Sequence, residues 1–297
     1  MVEIDPTAEI STAAPRPERF TTVRTALASG RARLGLALLV FVLAIATLGP
    51  LVAPHSPSEF VGAPFAKASR TALLGTDNLG RDVLSRTLWG GWSIVWMSVV
   101  ATILGMSLGV LVGLSAGYSR KSVDAGLMSL MDVMLAFPQI VLVLLFIAFL
   151  GSRIWLIVGL VALSHVPRVA RLTRSVTVQT VQREFVLAAE ALAVPPRWIL
   201  FREVLPNLST PLLVEAGVRL TWSITLIASV SFLGFGIQPP NADWGLMINE
   251  NRNGLTLAPW GVLAPAMCIA CFAMGANLLA EGFSRSIARV SPERIAR

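Results

Sequence analysis

Three parts of this chain carry residue types at spacings that could do chemistry. The stretch GTDNLGRD, residues 75–82, sets Gly75 and Gly80 at the separation found in phosphate-binding loops. Such a loop needs a Lys that reaches the terminal phosphates and a Ser or Thr hydroxyl for magnesium. Arg81 and Asp82 stand in those places, so the nucleotide reading fails. The stretch reads instead as an Asp- and Gly-rich turn, with Asp77 or Asp82 capping a helix that begins near Val83. Cys268 and Cys271 form a C-x-x-C, but the chain has only two histidines, His55 and His165. A metal or redox centre needs more partners, so the thiols read as small apolar residues on one helix face and no metal site is expected. Glu215 and Arg219, four residues apart in an apolar run, share a helix face and can pair. Counted from Pro206 at about 1.5 Å per residue, they stand about 13 and 20 Å along that helix. Charges so deep face a cavity or a partner. The pair therefore either lines a translocation path or only secures packing.

The elements that must position these residues are membrane spans. Of the 297 residues, 55% are hydrophobic and 14% charged, against roughly a quarter charged in an average soluble domain. The net charge of +7 resides mostly in dispersed Arg residues without aromatic interleaving, which excludes a nucleic-acid surface. Runs of about 20 apolar residues predict an all-α membrane protein of six spans, at 34–53, 92–116, 127–150, 154–169, 212–235 and 260–279. The first run has a longer apolar core than a secretory signal and follows a long polar tail, so it reads as a span. Trp89, Trp92, Trp155, Trp244 and Trp260 fall near span ends, where they read as interfacial anchors. Asp132 and Pro138 lie in the third span, and Asp132 is expected to cap or to pair with Arg120, Lys121 or Arg174.

Lys and Arg concentrate in the tail 1–33, the Arg120–Lys121 turn, the loop after the fourth span and the tail 286–297. An excess of these residues marks the cytoplasmic side, so both termini are expected inside. The outer loops would then be 54–91, a tight turn near Arg153, and 236–259 with the Pro-rich PPNADWG. PPNADWG reads equally as a gate or docking element and as a plain connector.

Between the fourth and fifth spans lies EFVLAAEALAVPPRWILFREVLPNL, residues 184–208. Residues 184–193 are good helix formers, with Phe185, Leu187, Ala188, Ala191 and Leu192 on an apolar side and Glu184 and Glu190 elsewhere. Pro195 and Pro196 cannot continue that helix, so the chain turns and restarts through RWILFREVL, with Pro206 placed for a further break. Periodicity leaves open whether this helix rests in the headgroup layer or transmits a push from a soluble partner.

The order of residues resembles the EAA loop of ABC importer permeases. Leu187, Ala188 and Ala189 occupy its Glu-Ala-Ala positions, Ala193 its Gly and Leu205–Pro206 its Leu-Pro. Two departures are Leu187 for Glu and Ala193 for Gly; Glu184 or Glu190 is left to supply the acidic contact. LLGTDNLGRDVLSRTLWGGW, MDVMLAFP, ARLTR, SFLGFGIQPPNADWG and APW, in that order, look like the second permease subunit of dipeptide, oligopeptide and nickel importers. The resemblance implies a type I importer fold, with a five-helix core over 92–285 and a coupling loop at 183–206. It implies ATPase contacts through that loop, with Arg197, Trp198 and Arg202 beside the residues already named. It places Asp77, Arg81, Asp82 and Trp244 at an external rim where a binding protein docks. The implied partners are a homologous permease in a heterodimer, two ATP-binding subunits and an extracytoplasmic binding protein. ATP and magnesium would be held by the partner subunits and no cofactor by this chain. The implied location is the bacterial inner membrane.

Overall fold

The computed structural model describes residues 29–290, with side chains as far as residue 284. The tail residues 1–28 and 291–297, expected in the cytoplasm, lie outside that range. The described residues form α1 Gly30–Val52, α2 Val83–Trp89, α3 Gly91–Tyr118, α4 Lys121–Leu135, α5 Gln139–Leu150, α6 Ile154–Val181 and α7 Glu184–Ala191. The single turn α8 Pro196–Trp198 leads through a π-helical stretch, Ile199–Val204, into α9 Leu205–Phe232. Helices α10 Trp244–Asn251 and α11 Trp260–Val290 follow. Among the described residues there is no strand, only two isolated bridges, Phe60 to Arg81 and Thr76 to Asp82.

Five described helical runs are long and apolar enough to cross a membrane, and a sixth forms if the bent pair α4 and α5 is one span. The expected third span is therefore corrected: it is not one helix but two, meeting at 80°. Pro138 has no N–H for the helix ladder, and its ring excludes Phe137 from helical backbone. At about 1.5 Å per residue the halves measure about 22 and 18 Å, each short of the roughly 30 Å hydrocarbon core. The fourth span is also longer than expected, since α6 runs on to Val181 and the Arg-rich 168–174 is helix. Nor does Pro206 break the chain. The preceding turn widens, with Leu205 N–H donating to the Leu200 carbonyl, which accommodates a ring that would otherwise strike the carbonyl four residues back.

Lipid offers no hydrophobic drive between helices, so close packing of small residues must hold them. Gly105, Gly109, Gly113 and Gly117 recur every fourth residue and face α6 throughout; a Cβ at Gly109 would stand 2.5 Å from Val169 Cβ. Helices α3 and α6 accordingly form the most extensive pair in the fold. Gly35 brings α1 onto α11 in the same way, where a Cβ would stand 2.7 Å from the Leu279 nitrogen. The main core gathers Val42, Ile94, Ile147, Ile157, Ile224 and Phe272 from six helices. A second, smaller core of Leu114, Val186, Ile199, Val204 and Leu208 joins the end of α3 to the segment after α6. The two cysteines are free thiols on α11, Cys268 buried and Cys271 partly so.

Candidate functional site

The segment from Arg183 to Pro206 is a helix pair seated on the second core. Val186 of α7 is fully buried there, and Ala189 and Val194 pack against it. The helix end is a Schellman cap: Ala193 N–H donates to the Glu190 carbonyl at 2.9 Å and Val194 N–H to the Ala189 carbonyl at 3.1 Å. That cap needs a left-handed residue, and Ala193 takes φ +55°. The Gly conformation is thus kept without Gly, at about 1–2 kcal/mol. Pro195 and Pro196 do not supply the bend but start the next helix, with Pro196 at its first turn, where a missing N–H does no harm. Consequently A193G is expected to match or exceed the parent in stability, whereas the β-branched A193V should fall about 2 kcal/mol below A193G. Thermal unfolding of the purified subunit, compared across the three forms, reads this difference.

With Val186 turned inward, the apolar side expected of α7 faces out. Phe185, Leu187, Ala188, Ala191 and Leu192 are exposed, Leu192 to 79%, and so are Trp198 and Phe201 nearby. Arg202 stacks on the Trp198 ring at 4.0 Å, and Arg197 is exposed beside them. The two acids differ. Glu190 accepts from the Tyr118 hydroxyl at 2.8 Å, while Glu184 is exposed in the first turn of α7 with no partner among the described residues.

The four residues expected at an external docking rim have their side chains turned inward. Asp77, Arg81, Asp82 and Trp244 are all nearly or wholly buried. Asp77 accepts from Arg81 Nε at 2.6 Å and from Arg86; Glu250 of α10 accepts from Arg86 at 2.7 Å and from Arg81 at 3.1 Å. Two cations and two carboxylates thus latch the loop after α1 and the helix α2 to α10. Asp82 does cap α2, accepting from Ser85 N–H at 2.9 Å. The turn is tight because Gly80 adopts φ +83°, and a Cβ there would stand 2.1 Å from the Gly62 carbonyl. Trp244 is no lipid anchor: its ring lies against Gly91 and its N–H donates to the Thr87 carbonyl at 2.8 Å. Trp89, Trp92, Trp155 and Trp260 remain exposed. Within PPNADWG, Asp243 caps α10; burial pushes its carboxyl above the usual range, against the pull of the Leu246 N–H and the Ser93 hydroxyl.

Inside the spans, Arg219 Nε stands 2.8 Å from Glu215 Oε1, as the four-residue spacing predicts. Opposite charges at this distance hold the pair. Asp132 pairs with Arg171, not with the three partners expected; Arg174 is taken by Asp124. Sequence reasoning missed three features. Arg86 and Glu250 complete the latch. His165 Nε2 meets Ser223 Oγ at 2.8 Å, and Ser223 meets Thr102 at 2.8 Å, joining α6, α9 and α3. Arg168 lies 5.9 Å over the Trp222 ring. The signal for the last two was a His and an Arg three residues apart, on one helical face around Pro167.

Comparison with known proteins adds the following. Residues 109–289 match the family described as binding-protein-dependent transport system inner membrane component. The di/tripeptide transport system permease protein DppC of Pseudomonas aeruginosa is 33% identical over 255 residues, covering 84% of each chain. The glutathione transport system permease protein GsiD of Pectobacterium atrosepticum is 36% identical over 209 residues, 70% of this chain and 69% of that one. The dipeptide transport system permease protein DppC of Alkalihalophilus pseudofirmus is 32% identical over 253 residues, 84% of this chain and 82% of its own.

Proposed function

This chain belongs to the binding-protein-dependent transport system inner membrane components, the multi-pass permease subunits of ABC importers, and from that premise we propose that it forms half of a translocation pathway for peptides and couples ATP hydrolysis by partner subunits to uptake. The peptide reading is supported by the names of its relatives, which transport dipeptides, tripeptides or glutathione. In this reading a homologous permease supplies the other half, two ATP-binding subunits hold ATP and magnesium, and an extracytoplasmic protein delivers the solute. Segment 183–206 and both termini face the cytoplasm, in keeping with the Lys and Arg excess there.

One observation carries the coupling role: α7 fully buries only Val186 in its own core while presenting Phe185, Leu187 and Leu192 outward at the place of the EAA loop. Exposed apolar side chains gathered on one short element mark a protein contact. Glu184, free where Glu190 is tied to Tyr118, supplies the acidic contact in place of the missing EAA Glu. Closure of the ATPases would shift this helix pair. Because the chain runs without a break from Pro196 to Phe232, α9 would follow as a lever and switch access to the cavity.

Leu187 is 52% exposed, so L187D can disturb a partner without disturbing the fold. In proteoliposomes holding the assembled complex and its binding protein, L187D should cut peptide uptake about tenfold, the equivalent of ~1.4 kcal/mol of lost coupling. Membrane insertion should be unchanged. Uptake at the parental rate would remove the coupling assignment.

A further inference from the structure

Arg168 of α6 sits where a charge is costly. Fourteen residues beyond Ile154, it stands about 21 Å from that helix end, and Trp222 stands about 15 Å from the Phe232 end of α9. The two ends lie on one face of the protein, since the Ser152 hydroxyl donates to the Phe235 carbonyl. Both side chains therefore fall within the roughly 30 Å hydrocarbon thickness, where an Arg must face a cavity or a partner.

Its neighbours have carboxylates: Arg171 has Asp132, Arg174 has Asp124 and Arg219 has Glu215. Arg168 has no ion pair among the described residues and only the Trp222 ring beneath it. Its guanidinium opens onto a cleft of about 520 Å³ between the break at Pro138 and α9, lined also by Gln139, Trp222, Thr225 and Ser229. That volume is within the range of small-molecule sites. The other polar groups there are disposed to accept. Thr225 donates its hydroxyl proton to the Thr221 carbonyl and Ser229 donates to the Thr225 carbonyl, each at 2.8 Å. Gln139 commits one of its two amide N–H groups to the Ser164 carbonyl at 2.8 Å, and its amide oxygen remains an acceptor. Their oxygens keep lone pairs free to accept.

We propose that this cleft is a transit site for solutes bearing a free carboxylate, held bidentately by Arg168, with N–H groups of the solute donating to the Gln139, Thr225 and Ser229 oxygens. A short peptide has both functions, whereas a bare metal cation would meet an unneutralised guanidinium. The inference rests on the peptide-permease reading and narrows it to a residue of this chain.

The test uses the complete complex in proteoliposomes with two probes, alanylalanine and its C-terminal amide, in the parent, R168Q and R168K. The binding protein is the same in all three, so any change in the acid-to-amide uptake ratio belongs to the permease. The expected result is a ratio at least tenfold lower in R168Q, a ratio above half the parental value in R168K, and ATPase stimulation by loaded binding protein within twofold of the parent in both. An unchanged ratio in R168Q overturns the proposal. So does an R168Q complex that loses its partner permease while R168K keeps it, because Arg168 would then serve an intersubunit ion pair. Uptake of neither probe by the parental complex would instead bring down the peptide reading, and this inference with it.

Discussion

Replacing Gly113 by Val is expected to leave at least tenfold less intact permease complex after detergent extraction. A Cβ at this position would stand 2.5 Å from the Ala170 carbonyl oxygen and 3.0 Å from the Arg174 nitrogen. Both are backbone atoms of α6, so no side-chain rotation relieves the clash; the two helices must separate. Overpacking in a well-packed core costs typically 1–3 kcal/mol and occasionally more. Here the rigid neighbour and the length of the α3–α6 seam put the effect at the upper end, about 3 kcal/mol. G159A on the same α6 is the control. Nothing lies within 4 Å of a Cβ there, so its yield should equal the parent's. Equal yields for G113V and G159A would mean that the glycine seam does not hold the two helices together.

The second large effect is expected at Arg86. It is fully buried, and it bridges Asp77 and Glu250. R86M leaves two carboxylates, the buried Asp77 and the partly buried Glu250, sharing Arg81. Removing one member of a buried ionic network costs about 3–5 kcal/mol, because the remaining charge is uncompensated. The loss should appear as a lower unfolding temperature and as new tryptic cleavage after Arg81, which at 4% exposure is protected in the parent. The double variant R86M with E250Q removes one stranded carboxylate and should recover part of the loss. If R86M alone unfolds at the parental temperature, the latch contributes nothing to stability.

Local chemistry made much of this legible. The spans could be found because hydropathy over about 20 residues is a property of the run itself. The helix pair at 184–204 follows from good helix formers with Pro195–Pro196 set to start the second helix, and Asp82 caps α2 because Asp accepts well ahead of a helix. Glu215 and Arg219 pair because four residues make one helical turn. The every-fourth-residue glycines at 105, 109, 113 and 117 were equally plain in the chain, and they call for a partner helix as surely as an apolar stripe does.

What tertiary structure alone decided is where each side chain faces and what meets it. Trp244 could serve at a lipid interface; its burial against Gly91 comes from the distant contact between α10 and the start of α3. Asp77 and Arg81 look like surface loop residues until Glu250, far along the chain, closes over them. Asp132 had several basic residues within reach of a sequence argument, and the bend at Pro138 and the rotation of α6 selected Arg171. The amino-acid sequence thus determined which segments are helical and that they belong in a membrane, since these depend on backbone propensity and transfer of apolar side chains from water. It did not determine which charges are buried, paired or left facing a cleft. Those depend on contacts between residues remote in the chain, whose geometry exists only once the helices have packed.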